Sequence, residues 1–337
     1  MCLMGSPSTL FLEITTECNS QCRYCHMWML SDGEGALGVA ERVDLIDQFA
    51  RLSPGGEVVF TGGEPFRKKD ELVSLVHACR AHGLRSSTNT NGSYLTPDSF
   101  DEILCHGPTF LVFSLDSHDP AIHDYHRGMP GSFQTTVGTI TGLLARRREL
   151  QPQVPIEILT NTVVTGDNVA ELATTLAFIE ALGVDGMTLQ ILSPTFYRRG
   201  PTDVFYERHF SRDIPLAVDT LQGFIRNRRI HPRLRTTDTD LNWMQKYIAH
   251  RELLDEPVCG SHERNMMIDH RGDVQLCFNM KKLLGGRMLG NVRRESLNAI
   301  WSGEASASAR SVMANCRQTC GMLNCHRKTS SRSESRQ

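Results

Sequence analysis

The chain has 337 residues, of which 40% are hydrophobic, and its 36 Lys and Arg residues nearly balance its 38 Asp and Glu residues. This length accommodates one large α/β domain with a smaller appendage. The near-neutral charge excludes the strong positive field typical of proteins that gather nucleic acid or coat an anionic membrane.

The N-terminus has no basic region, and Glu13 interrupts its short apolar run, so it is not a secretory signal. No stretch of about 18 apolar residues predicts a membrane span. We therefore expect a cytoplasmic protein in a reducing compartment. There, its 11 cysteines are expected to serve metal binding or catalysis rather than disulfides.

Short β-branched and apolar runs alternate with amphipathic stretches as far as residue 192, which is typical of βα units around a parallel sheet. Apolar residues at helical spacing follow each of the first five runs, as in 39–52. The predicted strands are 9–15, 57–63, 85–91, 109–116, 155–164 and 186–192.

The pattern changes after the sixth predicted strand. An irregular segment at 193–210 is followed by predicted helices at about 213–229 and 238–254. We place a boundary near residue 255. The segment 265–278 predicts a hairpin with its turn at residues 271–273, and 296–301 predicts a short helix.

Three cysteines follow the first predicted strand at the spacing C-x3-C-x2-C, namely Cys18, Cys22 and Cys25. A loop at the carboxyl end of a parallel strand can wrap a metal centre. A four-iron cluster normally has four thiolate ligands, so three would leave one iron with an open position. The alternatives are three buried thiols, or a zinc site with His26 as its fourth ligand.

At these residues the sequence resembles the radical S-adenosylmethionine (SAM) superfamily, in which this loop follows the first strand of a partial (β/α)6 barrel. The segment TGGEP at 61–65 is similar to the Gly-Gly-Glu-Pro segment of that family. The resemblance implies that Gly62, Gly63 and Glu64 contact the SAM amino group, because glycine admits close backbone approach and a carboxylate pairs with an ammonium.

The resemblance extends to strand four, where Ser114 and Asp116 close the segment SLD. It implies that these two residues bind the cofactor and that Tyr24 resembles the family's aromatic residue near adenine, with ordinary packing as the alternative. Strand five departs from the family, since Asn161 stands in place of the Gly-x-Ile-x-Gly element found in many members.

The segment 123–133 resembles the His-Asp and Arg-Gly loop of the branch that carries C-terminal clusters. It implies that Arg127 is either a partner of the SAM carboxylate or an anchor of the loop. For His123, Asp124 and His126 we expect a hydrogen-bonded loop rather than a metal site.

Five further cysteines lie near the C-terminus, and the first two resemble the opening of the SPASM and twitch domains, which bind auxiliary [4Fe–4S] clusters. We expect one auxiliary cluster on Cys259, Cys277 and two of the last three cysteines, which leaves one spare thiol or an alternative ligand. A zinc ribbon is the alternative. The cysteines are Cys259, Cys277, Cys316, Cys320 and Cys325.

The predicted architecture is therefore a partial (β/α)6 radical SAM barrel with a small SPASM- or twitch-like C-terminal domain. We divide the chain into the core barrel at 1–200, a helical connector at 201–255, the auxiliary cluster domain at 256–327 and a disordered tail at 328–337.

The resemblance implies that an external one-electron donor such as flavodoxin or ferredoxin drives reductive cleavage of SAM to a 5′-deoxyadenosyl radical, which abstracts hydrogen from a substrate carbon. Strand alternation could direct Asn89, Asn91, Asn161 or Gln190 toward a substrate in the lumen, although structural hydrogen bonding within the barrel is the alternative.

Two outcomes stay open from the sequence. An auxiliary cluster could accept an electron in a dehydrogenation or a bond-forming reaction, whereas a spare thiol could return hydrogen in an epimerisation. Because the chain begins directly with strand one, without a leader-binding domain, we expect a sugar or aminocyclitol substrate, with a ribosomal peptide second. A non-catalytic iron–sulfur carrier or sensor is the alternative of another class, and the intact TGGEP segment argues against it.

Overall fold

The computed structural model describes residues 5–151, 156–192, 214–249, 259–280 and 284–317. The irregular segment at 193–210, the boundary near residue 255 and the tail at 328–337 lie outside these ranges, so their predictions stay predictions.

Nine strands are present in these ranges, and the first six fall where the hydrophobic pattern predicts them. They are β1 (Thr9–Thr15), β2 (Glu57–Gly62), β3 (Arg85–Thr90), β4 (Phe110–Ser114), β5 (Glu157–Val164), β6 (Gly186–Ile191), β7 (Asn265–Ile268), β8 (Asp273–Gln275) and β9 (Gly290–Asn291).

Helices follow the strands in the expected alternation, and the described part of the connector, 214–249, contains two. They are α1 (Val39–Leu52), α2 (Lys69–Ala81), α3 (Phe100–His106), α4 (Pro120–Arg127), α5 (Ser132–Leu150), α6 (Leu172–Leu182), α7 (Ile214–Arg226), α8 (Asp238–Ala249), α9 (Ser261–Arg264), α10 (Leu297–Ser302) and α11 (Glu304–Met313). None of the helices in the described ranges is long and apolar enough to cross a membrane.

All of these strands belong to one sheet with the order β6-β5-β4-β3-β2-β1-β7-β8-β9. Strands β1 to β6 are parallel, which is typical of the predicted partial barrel. The predicted C-terminal hairpin is confirmed as the antiparallel pair β7–β8. Strand β7 also pairs in parallel with β1, so the hairpin extends the sheet beside the first strand.

The two faces of the sheet differ in burial. In β4, Leu111 and Phe113 are fully buried on the helix-covered face, whereas Val112 and Ser114, which alternate with them, are less buried. Because successive side chains point to opposite faces of a strand, Ser114 lies on the other face, which we call the lumen face. The same alternation in β1 places Leu12 beneath the helices.

The sequence predicted that the fourth strand ends at residue 116, but β4 ends at Ser114. The backbone amide of Asp116 donates a hydrogen bond to Nδ1 of His123 in α4, 3.2 Å away, instead of continuing the ladder. A side-chain acceptor therefore ends the strand and directs Asp116 toward the carboxyl edge of the sheet.

Candidate active site

The cysteine loop, residues 16–32, leaves the carboxyl end of β1 and is held by α4. The backbone amide of Arg23 donates to the carbonyl of His126 at 2.9 Å, and that of Cys25 donates to the carbonyl of Cys22 at 3.2 Å. The loop therefore turns back on itself at the second and third cysteines, beside the end of α4.

Asp32 closes the cysteine loop at its far end. Its carboxylate accepts hydrogen bonds from the backbone amide of Thr16 at 2.6 Å and the Thr15 hydroxyl at 2.9 Å, and it pairs with Lys68 Nζ at 2.7 Å. Burial raises the pKa of Asp32, but the bonds from Lys68 and Thr16 outweigh it and lower the pKa to about 2. The sequence analysis missed this residue because a single aspartate in a loop has no spacing signal.

Gly62 and Gly63 let the turn after β2 pack directly against the cysteine loop. A Cβ on Gly62, whose φ is +121°, would lie 2.1 Å from the Thr15 carbonyl oxygen, and one on Gly63 would lie 2.1 Å from that of Glu17. The amide of Gly63 donates to Thr15 at 2.7 Å. The close packing of the two backbones therefore requires glycine at both positions. Contact of these glycines with SAM stays a prediction.

Glu64 lies beneath this turn and is 2% exposed. Its carboxylate accepts hydrogen bonds from the Thr90 hydroxyl at 2.8 Å and from the backbone amides of Asn91 at 2.9 Å and Phe66 at 3.1 Å. Burial raises its pKa to about 7 despite these bonds. A cationic ammonium would stabilise the ionised form, which is the chemistry expected for SAM binding.

Asp116 and Arg127 form a buried ion pair beneath the cysteine loop. Arg127 Nη2 lies 2.9 Å from Asp116 Oδ2, and the Tyr24 hydroxyl donates to the same oxygen at 2.6 Å. Arg127 Nη1 also lies 3.9 Å from Cys22 Sγ. These contacts make Arg127 an anchor of the cysteine loop, one of the two predicted roles, whereas the contacts of Tyr24 and Asp116 with SAM stay predictions.

The predicted hydrogen-bonded loop around α4 is confirmed. The Asp124 carboxylate accepts from the backbone amides of Gly131 at 2.6 Å and Phe133 at 2.7 Å. His126 is fully buried with Nε2 at 3.2 Å from Asp167. Burial lowers the pKa of His123 to about 4. These residues hold the end of α4 against the cysteine loop.

The lumen face of β4 to β6 carries a polar network. Asn161 Nδ2 donates to Gln190 Oε1 at 3.4 Å, and the Thr188 hydroxyl donates to Asn161 Oδ1 at 2.9 Å. Ser114 is the register partner of Asn161 on the neighbouring strand. Asn161 and Gln190 therefore lie together, as the strand alternation predicted.

The other two predicted lumen residues, Asn89 and Asn91, lie outside this network and differ from each other in burial. Asn89 belongs to β3 and is exposed, on the face shared by its register partner Val112. Asn91 is buried, and its amide donates to Asn19 and to Ser20, each at 2.9 Å. These contacts are the structural hydrogen bonding expected as the alternative, since the chain has left β3 at this position and turns toward the cysteine loop.

The structure brings two of the C-terminal cysteines together. Cys259 precedes α9, where the Ser261 hydroxyl bonds to the carbonyl of Leu276, the residue before Cys277. Cys316 follows α11, whose Arg310 Nε donates to the His262 carbonyl in α9 at 3.1 Å. Cys320 and Cys325 lie outside the described residues, so the complete ligand set stays a prediction.

The three N-terminal thiols lie close enough to influence one another electrostatically. Burial is the largest contribution that raises the pKa of Cys18 and of Cys25 to about 12, and the charge of Cys22 adds to both. Metal binding would therefore release their protons. A four-iron cluster, in which each thiolate binds a different iron, fits a set of three neighbouring thiols.

Comparison with known families matches both cysteine-rich parts of the chain. The radical SAM superfamily matches residues 12–179, and an iron–sulfur cluster-binding domain, SPASM, matches residues 259–326. The first implies a [4Fe–4S] cluster and SAM, and the second implies auxiliary iron–sulfur clusters. Both predicted kinds of cofactor are thus confirmed.

Two curated relatives illustrate the range of similar proteins. The AdoMet-dependent heme synthase of Oleidesulfovibrio alaskensis is 29% identical over 57% of this chain and 47% of its own length. The tungsten-containing aldehyde ferredoxin oxidoreductase cofactor-modifying protein of Pyrococcus furiosus is 25% identical over 91% of this chain and 84% of its own. The chain spans about half the length of the heme synthases that it matches.

Among solved structures, SuiB of Streptococcus suis bound to SAM has a similar fold, with a TM-score of 0.70 and 16% identity over 93% of this chain and 72% of SuiB. SuiB has also been solved with its precursor peptide SuiA. Because the family matches fall on the two cysteine groups in their predicted order, we conclude that this chain belongs to the radical SAM superfamily and carries a C-terminal SPASM domain.

Proposed function

We propose that this enzyme cleaves SAM reductively and abstracts hydrogen from a sugar- or aminocyclitol-type small molecule, leading to its dehydrogenation or epimerisation. The observation that carries this proposal is the uncharged network of Asn161, Thr188 and Gln190 on the lumen face. Amide and hydroxyl groups both donate and accept hydrogen bonds, so they complement the hydroxyl and amine groups of such a molecule.

The cofactors would bind near the cysteine loop, which follows β1, whereas the polar network lies on β5 and β6 at the other end of the parallel strands. When bound to Cys18, Cys22 and Cys25, a [4Fe–4S] cluster would deliver the electron that cleaves SAM, which an external donor such as flavodoxin or ferredoxin must first provide. The residues of the chain hold and orient these groups. Asp32 and Arg127 fix the two sides of the cysteine loop, and Glu64 offers a buried carboxylate to the SAM ammonium.

Transfer of deuterium tests this function directly. Anaerobically reconstituted enzyme, dithionite and SAM would be incubated with a panel of ring-deuterated cyclitols and amino sugars. We expect deuterium in 5′-deoxyadenosine with at least one member, because the abstracted atom joins the 5′ carbon. The Cys22→Ala variant should form no 5′-deoxyadenosine. If the wild-type enzyme also forms no 5′-deoxyadenosine, the alternative of a non-catalytic electron carrier or sensor would be favoured.

Substitution of the lumen network separates substrate binding from SAM cleavage. Asn161→Ala should lower deuterium transfer at least 10-fold and leave the slow cleavage of SAM without substrate unchanged, since Asn161 contacts Thr188 and Gln190 on the lumen face. The control is Gln134→Ala, an exposed residue of α5. Equal transfer by Asn161→Ala and the control would remove the network from the substrate site.

Modification of a ribosomal peptide is the second candidate. It is supported by the likeness of the fold to SuiB, which has been solved with a precursor peptide. The relative from Pyrococcus furiosus, which the chain matches over most of its length, is named for modifying a cofactor, and this supports a substrate that is not a peptide. A deuterated peptide library in the same assay distinguishes the two candidates.

A further inference from the structure

A histidine from the C-terminal hairpin pairs with a glutamate from the first strand. His270 lies in the turn between β7 and β8, and its Nδ1 is 2.6 Å from Oε1 of Glu13 in β1. The two residues are 257 positions apart in sequence. Both side chains are largely buried, with exposed fractions of 14% for His270 and 19% for Glu13.

Glu13 lies on the lumen face, beside the predicted SAM site. Its neighbours Leu12 and Ile14 are fully buried on the helix-covered face, so alternation directs Glu13 to the opposite side of β1. A Cβ on Gly62 would lie 3.0 Å from Cγ of Glu13. The carboxylate that holds His270 is therefore adjacent to the turn that carries Gly62 and Gly63.

Within the part of the chain that the structure describes, the second ring nitrogen of His270 has no hydrogen-bond partner. This atom, Nε2, is buried. Burying an unsatisfied polar atom costs free energy, so such an atom calls for a ligand or another compensating role. With Nδ1 bonded to Glu13, Nε2 can accept a proton from a ligand when the ring is neutral and donate one when it is charged.

The charged groups around the ring favour its protonated form. The hydrogen bond to Glu13 makes the largest contribution and raises the pKa of His270, and the carboxylates of Asp269 and Asp32 add to it while burial opposes it. Asp32 is itself paired with Lys68. This environment suits a group that gains and loses a proton near neutral pH.

We propose that His270 exchanges a proton with the substrate in the lumen and that Glu13 is its positioning residue. The transfer breaks an O–H or N–H bond of the substrate and forms the Nε2–H bond of the imidazole. The electron pair of the broken bond stays on the substrate oxygen or nitrogen, so nothing is oxidised or reduced. The proposal rests on the proposed function, since a sugar or aminocyclitol carries such groups beside the carbon that loses hydrogen. The other role open to the pair is to link β1 with the hairpin and nothing more.

The first test follows the imidazole itself and needs no turnover. In the reconstituted enzyme labelled with 15N-histidine, the pKa of His270 should lie above its ordinary value and should fall in Glu13→Gln, because the hydrogen bond to Glu13 is the largest cause of the rise. The matched control is Asp47→Asn, which removes the carboxylate from His82 in an exposed pair of similar length, 2.7 Å. An unchanged titration of His270 in Glu13→Gln would overturn the proposal.

The second test uses the deuterated cyclitol and amino sugar panel. His270→Gln should form product at least 100-fold more slowly while it retains iron and SAM cleavage without substrate, and His82→Gln should match the wild-type enzyme. The pH dependence of product formation should move to lower pH in Glu13→Gln, a change that a purely structural link does not produce.

The outcomes of the two tests are distinct. Wild-type product formation by His270→Gln, or an unmoved pH profile in Glu13→Gln, overturns the role of His270 but leaves the proposed function intact. If the wild-type enzyme transfers deuterium from no member of the panel, the substrate class fails, and the proton transfer proposed for it fails as well, whatever the titration shows.

Discussion

Arg127 Nη2 lies 2.9 Å from Asp116 Oδ2, and the exposed fractions of these two side chains are 8% and 0%. The pair joins the ends of β4 and α4 directly beneath the cysteine loop, and Arg127 reaches within 3.9 Å of Cys22 Sγ. Burial raises the pKa of Asp116, but the charges of Arg127 and the two histidines of α4, with the hydrogen bond from Tyr24, together outweigh it, so the net shift is downward. Charge pairing and loop geometry are therefore coupled at this point.

We predict that Asp116→Asn destabilises the protein, because it leaves the Arg127 charge buried without compensation. The free energy of unfolding should fall by about 3 to 5 kcal/mol, measured by urea denaturation under anaerobic conditions. The control is Asp101→Asn, which removes one partner of Arg146 in an exposed pair and should change the free energy of unfolding much less. Similar losses for both variants would contradict the buried pair as the source of stability.

We predict that Gly63→Ala displaces the cysteine loop. The new Cβ would lie 2.1 Å from the Glu17 carbonyl oxygen and 2.7 Å from that of Thr16, and neither backbone atom can move without moving the loop. Iron retained at the N-terminal site should fall in a chelator challenge. Gly138→Ala is the control, since no atom lies within 4 Å of the added Cβ in α5. Equal iron retention by the two variants would show that the close approach is dispensable.

The strands and the cysteine loop were predictable because their signals are local. The alternation in β4, with Leu111 and Phe113 buried, follows directly from the order of apolar residues. The spacing of Cys18, Cys22 and Cys25 likewise lies within one short segment. Such features can be predicted from the sequence, because they depend on residues that are close together in the chain.

The contacts that organise the site could not be predicted in the same way. Asp32 bonds to Thr16 and Lys68, and the latter lies 36 residues away, while His270 meets Glu13 across 257 residues. The contact between His270 and Glu13 follows from the topology, in which β7 pairs with β1, and no spacing rule encodes that pairing. For a related reason the sequence left the role of Asn91 open, since the end of β3 at Thr90 decides its direction.

We predict that stability falls as the pH is lowered because of His123. Its pKa is about 4 in the folded protein and about 6.5 when unfolded, so the unfolded state binds the proton first. Its contribution is therefore complete above pH 6.5 and decreases by about 3 kcal/mol down to pH 4. His123→Asn should reduce this slope in urea denaturation between pH 8 and 5, while His82→Asn, at an exposed histidine, should retain it. An unaltered slope in His123→Asn would assign the acid sensitivity to other groups.

The iron content of cysteine variants tests the two cluster sites separately. Reconstituted wild-type enzyme should hold about eight irons per chain, four for each of two clusters, and Cys22→Ala about four without forming 5′-deoxyadenosine. A wild-type value near four would remove the auxiliary cluster, and SAM cleavage by Cys22→Ala would overturn the N-terminal assignment.

The last three cysteines give the sharpest prediction about the C-terminal domain. A four-thiolate cluster that uses Cys259 and Cys277 has room for two of Cys316, Cys320 and Cys325, so one single Ala variant should keep full iron. If that variant still cleaves SAM but no longer labels product from deuterated water, its thiol donates hydrogen and the reaction is an epimerisation. Unaffected product instead favours dehydrogenation or bond formation. Equal loss of iron in all three variants would contradict a single four-thiolate cluster, because it would mean that every thiol is a ligand or that the segment folds only around complete metal sites.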